Sequence, residues 1–370
     1  MVFSMECDGI DKNTDCVQQQ RQDNDVSELA LDQLLAFLVT EKSYRIPSIP
    51  CKASPGHDKQ RPYAEWRRKI CQWCFRVVDH FLLDREVVSA GMNIFERYLA
   101  TKPECFDQNT CPCPACQKSI DGRLFQLTAM TSLYLAMKMY SENSDDSPYR
   151  KLRLTHFVEL SRGQFSPADV SQMERSILKE LKWKVNPPTP MAAVPFLLRL
   201  MPSRSFVLSN NYDLVLHVLH ELARYLSELS VCLDKVSTVY SSSQIAYSSI
   251  LVSMELLTYS SLPVKVRNVF NECTLRASLS AGGTILTPHD ESIQDLRQLL
   301  RHSFWPEMLV HDANSADVGH PIFMAREYGL LDMGFIASQQ PSSSSRKRTT
   351  MENDLEDSPV SVSRGALYSQ

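Results

Sequence analysis

Leu124-Phe-Gln-Leu-Thr-Ala-Met-Thr-Ser-Leu-Tyr-Leu-Ala-Met-Lys138 is apolar or small on almost every side, and only its last residue carries a charge. The run has no Gly or Pro to break it and is longer than a buried strand, so it reads as a helix. A helix that is apolar all round belongs in the middle of a core. It is also shorter than the roughly 18 apolar residues that would span a membrane, and no other stretch of the chain comes closer. The charge at its end is out of place there. A charge on an apolar face is either paired inside the protein or available to a partner.

Outward from this helix, spanning about 122–140, the chain falls into helical patterns separated by breakers. Upstream, a stripe of Trp66, Ile70, Trp73, Cys74 and Val77 marks a helix over about 63–80, and Val88, Met92, Phe95 and Leu99 mark one starting near Asp84. Downstream, a short helix covers about 154–162. Ser166-Pro167-Ala168-Asp169 then opens a fifth helix with a Ser cap, Pro at the first position and an acid in the first turn. That helix stops before Asn186-Pro187-Pro188-Thr189-Pro190. Five more patterns follow at about 189–201, 211–232, 240–258, 263–273 and 290–303, again with the third the most uniformly apolar. The expected fold is all-α, two tandem five-helix domains with disordered tails.

The boundaries expected are a polar, disordered N-terminal tail at 1–25, a leading helix and connector at 26–61, a first domain at 62–190, a second at 191–305 and a low-complexity tail at 306–370. Charged residues make up 22% of the chain, hydrophobic ones 43%, and the net charge is −4, which gives no basic surface for nucleic acid. Only 11 glycines occur in 370 residues, against an average of about 7%, which disfavours phosphate loops and strands. The N-terminus has no basic start followed by an apolar segment, so no secretory signal is read there. Eleven cysteines, several inside helical patterns, point to a reducing compartment. No Gly-rich phosphate loop, nucleophile–base arrangement or metal-hydrolase motif is present, and no enzymatic activity is expected.

Four segments in the first domain, in order, resemble the landmarks of a cyclin box. They are Trp66-Arg67-Arg-Lys-Ile70-Cys-Gln-Trp73, Asn93-Ile-Phe-Glu96-Arg97-Tyr98-Leu99, Leu133-Tyr-Leu-Ala-Met-Lys138-Met, and Met173-Glu174-Arg-Ser-Ile-Leu-Lys-Glu-Leu-Lys-Trp-Lys. The resemblance covers about 62–195, and the second helical set matches a cyclin fold by pattern alone. It implies a regulatory subunit that binds and activates a cyclin-dependent serine/threonine kinase in a heterodimer, controlling cell-cycle progression from the nucleus and cytoplasm. Lys138 and Glu174 match the box residues that bind the kinase, and they are expected to find their main partner there. Arg67 and Glu96 match a buried structural ion pair, with Glu where Asp is usual.

The first-helix patch that recruits arginine-x-leucine substrates in many cyclins is degenerate here. Trp66, Ile70 and Trp73 remain apolar, but Lys69 and Arg76 stand where apolar and acidic residues are usual, so an arginine-bearing peptide would be repelled. An insertion at 101–121 carries Cys105, Cys111, Cys113 and Cys116, which reads either as a thiolate zinc site or as a loop with free thiols. No other cofactor is expected. Ser358-Pro359 beside acidic residues is a candidate phosphorylation site, and Arg346-Lys347-Arg348 a weak nuclear-import signal. The alternative reading is a cyclin-fold scaffold or transcription-related factor that activates no kinase, although 191–305 has no basic enrichment of the kind a DNA-bridging factor needs.

Overall fold

The computed structural model describes residues 28–47, 62–102, 122–141, 153–204, 211–233, 236–303 and 321–338. Residues 28–41 form α1, followed by a 3₁₀ turn at Lys42–Tyr44. The first helical set is α2 (Pro62–His80), α3 (Glu86–Ala100), α4 (Gly122–Ser141), α5 (Leu154–Glu159) and α6 (Pro167–Glu180). The second is α7 (Pro190–Leu198), α8 (Tyr212–Ser230), the one-turn α9 (Val236–Val239), α10 (Ser242–Glu255), α11 (Val264–Ser280) and α12 (Glu291–Ser303). Two short helices, α13 (Pro321–Glu327) and α14 (Met333–Ser338), complete the described chain. Among the described residues there is no strand, only an isolated antiparallel bridge between Leu257 and Leu331.

The first core is built around α4, which packs on α3, α6 and α2. Phe125, Met130, Leu133, Leu135 and Met137 of α4 are buried on different sides of the helix, as an apolar helix at the centre of a bundle requires. α3 comes so close to α4 that a Cβ placed on Gly91 would lie 3.3 Å from the Leu133 Cα. The second core repeats the plan around α10, which packs on α7, α8 and α12. Serines serve as small residues along α10: Ser249 donates to the Ile245 carbonyl and Ser253 to the Ser249 carbonyl, so two buried hydroxyls are satisfied within the helix.

On α2 the expected stripe has the right period, and its Cys74 and Val77 are buried, but its other three positions lie one residue off the most buried line. The most buried positions are Arg67, Cys71, Cys74, Phe75 and Val78, whereas Trp66, Ile70 and Trp73 are only partly covered. The stripe therefore begins on a charge, which a hydrophobicity pattern assigns to solvent.

Two boundaries also differ from expectation. The second unit does not end at 305: Ile322, Ala325, Leu330, Leu331 and Ile336 are buried in its core, and Leu331 pairs its backbone with Leu257. The two helices that carry these residues are too short to show a clear 3.6-residue period. Nor is the leading helix a mere prelude to the first domain. Its Leu34, Phe37 and Leu38 belong to the second core, with Ala193, Tyr212 and Val215. At its end Glu41 is buried and accepts hydrogen bonds from the Ser243 N–H (3.0 Å) and Oγ (2.6 Å), at the start of α10. A carboxylate there meets the positive end of the helix dipole.

Candidate functional site

α6 begins where its sequence says it should. The Ser166 Oγ accepts from the Asp169 N–H, and the Asp169 carboxylate accepts from the Ser166 N–H (2.8 Å), which closes a capping box ahead of Pro167. With that start, Val170, Met173 and Ile177 face the core and Glu174 comes to lie at the end of α4. Lys138 Nζ then donates to Glu174 Oε1 at 2.6 Å, and the ammonium lies 5.3 Å from the centroid of the buried Tyr134 ring. The Lys138 side chain is 44% exposed and that of Glu174 17%.

This corrects one expectation. Lys138 and Glu174 do not wait separately for an outside partner; in the unbound chain they hold each other, because the packing of α6 on α4 brings the two helix faces together. Their pairing does not close the site to a third group. An ammonium has three donors and a carboxylate about four acceptor positions, so a bridged pair can still serve backbone groups on a docking helix.

Sequence reasoning overlooked Trp183. It is 74% exposed just beyond α6, in a turn where Lys182 and Trp183 both have positive φ (52° and 62°). Consecutive non-glycine residues in the left-handed region are costly and are worth a functional question when they present a large apolar side chain to water. The sequence did hold a signal, a Trp between two lysines, but the helix expected to run up to Asn186 ends already at Glu180. Met139, next to Lys138, is also exposed.

Arg67 and Glu96 are in contact, with Arg67 Nε donating to Glu96 Oε1 at 2.6 Å, and both are almost wholly buried. Their reach is wider than the first domain. Arg67 Nη1 donates to the Val231 carbonyl (2.9 Å), Nη2 donates to Ser237 Oγ (3.2 Å), and the Ser237 hydroxyl donates to Glu96 Oε2 (2.6 Å). The pair thus fastens α2 and α3 to the segment after α8. A second bond across the same seam runs from Arg224 of α8 to the Asp84 carboxylate (2.6 Å), with Arg85 and Glu228 alongside. Burial pushes the Glu228 carboxyl up, against the pull of Arg85 and Arg224.

Trp66, Ile70 and Trp73 line an open groove of about 880 Å³ between α2, α4 and the α5–α6 turn, with Phe125, Met130 and Phe165 opposite. Trp66 leans on Phe125 with ring centroids 5.5 Å apart. Lys69 and Arg162 stand among the groove residues, and Lys69 pairs with Glu65 at 2.6 Å. The four insertion cysteines, Cys105, Cys111, Cys113 and Cys116, lie outside the described residues, as do Ser358 and the basic triplet.

The family described as cyclin, N-terminal domain, matches residues 39–186. The G1/S-specific cyclin CLN3 of Candida albicans is 22% identical over 279 residues, covering 73% of this chain and 56% of that protein. The G2/mitotic-specific cyclin-B2 of Mesocricetus auratus is 27% identical over 194 residues, covering 52% of this chain and 39% of that one. The chain thus spans about half the length of the curated relatives it matches. Among solved structures, a viral cyclin from herpesvirus saimiri aligns with a TM-score of 0.44 at 16% identity, over 74% of this chain and 97% of that one. The family match and these relatives together make residues 39–186, which hold the first core and its central helix, similar to the N-terminal domain of cyclins.

Proposed function

We propose that this chain is the regulatory subunit of a cyclin-dependent serine/threonine kinase, which it binds and activates through the surface around Lys138 and Glu174. The observation that carries the reading is a pair of opposite charges at an apolar rim, joined to each other yet partly open, with Met139 exposed next to Lys138 on α4 and Trp183 exposed just beyond α6. Trp and Met are among the side chains enriched at protein interfaces, and the pair supplies the polar anchor. The chain supplies no chemistry. A kinase needs its Lys–Glu ion pair assembled by an inward C-helix. A subunit that binds this arrangement better than the displaced one shifts the population towards activity. The groove beside Trp66 serves substrates differently, if at all, from an acidic docking patch, since Lys69 disfavours arginine-bearing peptides.

The test is the double variant Lys138→Ala with Glu174→Ala. A partly exposed pair contributes only about 0–1 kcal/mol to stability. The variant should therefore keep its helicity and melting temperature while losing kinase co-purification and histone H1 phosphorylation in the immunoprecipitate. Trp183→Ala should weaken co-purification in the same way. If the double variant unfolds, or still binds and activates a kinase, the assignment of these residues fails. Mass spectrometry of the wild-type pull-down names the partner.

A further inference from the structure

The seam between the two helical units holds two cysteines that the kinase reading does not use. Cys71 lies on the buried face of α2, and Cys232 follows α8 in the second unit. Their Sγ atoms are 3.5 Å apart and share a hydrogen bond, 161 residues apart in sequence. Cys71 has no accessible surface, whereas Cys232 is partly exposed. The contact sits beside the bond from Arg67 to the carbonyl of Val231, the residue before Cys232, so the backbone on both sides is already held in place. A disulfide needs the sulfurs about 2.05 Å apart. From 3.5 Å that distance is within reach of side-chain adjustment.

We propose that Cys71 and Cys232 are a redox modification site: a hydroperoxide converts the pair to a disulfide that clamps the cyclin box to the second helical unit. Cys232 is the cysteine placed to meet the oxidant, because it alone of the two residues is not fully covered. The hydrogen bond from the Cys71 thiol, helped by the nearby Arg67 and Arg85 guanidiniums, holds the Cys232 thiol below its ordinary range and favours the thiolate. The thiolate attacks one peroxide oxygen, the O–O bond breaks, and the departing hydroxide or alkoxide takes a proton. Sulfur is oxidised to a sulfenic acid and the peroxide is reduced to water or an alcohol. The Cys71 sulfur then attacks the sulfenic sulfur. The S–S bond forms, the S–O bond breaks, and hydroxide leaves as water with the Cys71 proton. A dithiol reductant reverses the step by exchange. The hydrogen bond to Cys232 and burial push the Cys71 thiol up, as burial does that of Cys74, and it is Cys71, not Cys74 three residues further along α2, whose sulfur contacts Cys232.

The full chain would be treated with hydrogen peroxide, its remaining thiols blocked with iodoacetamide, and digested with trypsin without reductant. The expected product is peptide 225–235 linked through Cys232 to Cys71 of peptide 70–76, released by dithiothreitol. Cys74→Ser should retain the link and Cys232→Ser should abolish it. The melting temperature should rise by roughly 5–10 °C on oxidation and fall back on reduction. Recovery of Cys232 unlinked, whether alkylated or over-oxidised, would overturn the proposal, and so would a link from Cys232 to Cys74 or to an insertion cysteine. Because no kinase enters the assay, failure of the kinase assignment leaves this result unaffected.

Discussion

Arg67 does more than its place in the sequence announces. Its guanidinium meets Glu96, the Val231 carbonyl and Ser237, all within the protein. Removing one partner of such a buried pair strands a charge, so Arg67→Met or Glu96→Gln should each lower stability by about 3–5 kcal/mol in urea titration, with the double variant costing less than the sum. The contact between Arg67 and Glu96 was legible only through the resemblance to a cyclin box, since a hydrophobic pattern by itself leaves Arg67 in solvent. Ser237 was not legible, since a serine 141 residues from Glu96 carries no pattern that ties it there. Lys138 and Glu174 were legible as a pair of anomalies, but that each answers the other depends on how two helices pack.

Glu41 gives a pH test at the same scale. Burial raises its carboxyl above the ordinary 4.5, although bonds from Ser243 pull the other way. A carboxyl whose folded pKa is raised binds its proton more readily in the folded state. Its contribution is thus fully present below the unfolded pKa and is lost as pH rises through the folded one. Glu41→Gln removes that dependence. The melting temperature of the variant relative to wild type should be most favourable near about pH 7.5 and should fall away towards about pH 4.5. A pH-independent difference would show that the Glu41 carboxyl titrates as it does in the unfolded chain.

Among the elements, the crossing of α3 and α4 is the tightest constraint. A methyl group at Gly91 would press on the Leu133 backbone, 3.3 Å away, which cannot swing aside as a side chain can. Gly91→Ala should cost about 1–3 kcal/mol and Gly91→Leu should prevent the box from forming, both measurable by far-UV circular dichroism and thermal melts. Elements of this length were readable in advance because 15–20 residues repeat the helical period several times. What periodicity left out is informative. It placed the α2 stripe on Trp66, Ile70, Trp73, Cys74 and Val77 because it scores residues by hydrophobicity, and only the last two are buried. The fold instead turned Arg67 inward, where a matched acid waits, and left the aromatic residues to line a groove. It also passed over α13 and α14, each under two turns long, whose place is set by tertiary contacts with α8 and Leu257.

For the molecule as a whole, the two halves do not correspond to two separable stretches of chain. The second core includes Leu34 from α1 and Ile336 from α14, so it is closed by both ends of the described sequence. Removing residues 1–41, which leaves Tyr44 against Asn93 and Arg97 of α3, should therefore destabilise the second unit rather than the box. The loss should appear as hydrogen exchange in α8 and α10, with α4 still protected. Protection lost first from α4 would show that α1 supports the box.

This closure also sets an order of events during synthesis. Of the described helices α1 leaves the ribosome before the rest, yet Val215 and Tyr247 of the core it joins follow roughly 180–210 residues later, and Ile336 later still. At the usual pace of about 5–20 residues per second, the apolar face of α1 stays uncovered for some ten seconds or more while the box assembles behind it. The earliest helix is among the last to be buried, and for that interval the nascent chain presents Leu34, Phe37 and Leu38 to whatever chaperone attends it.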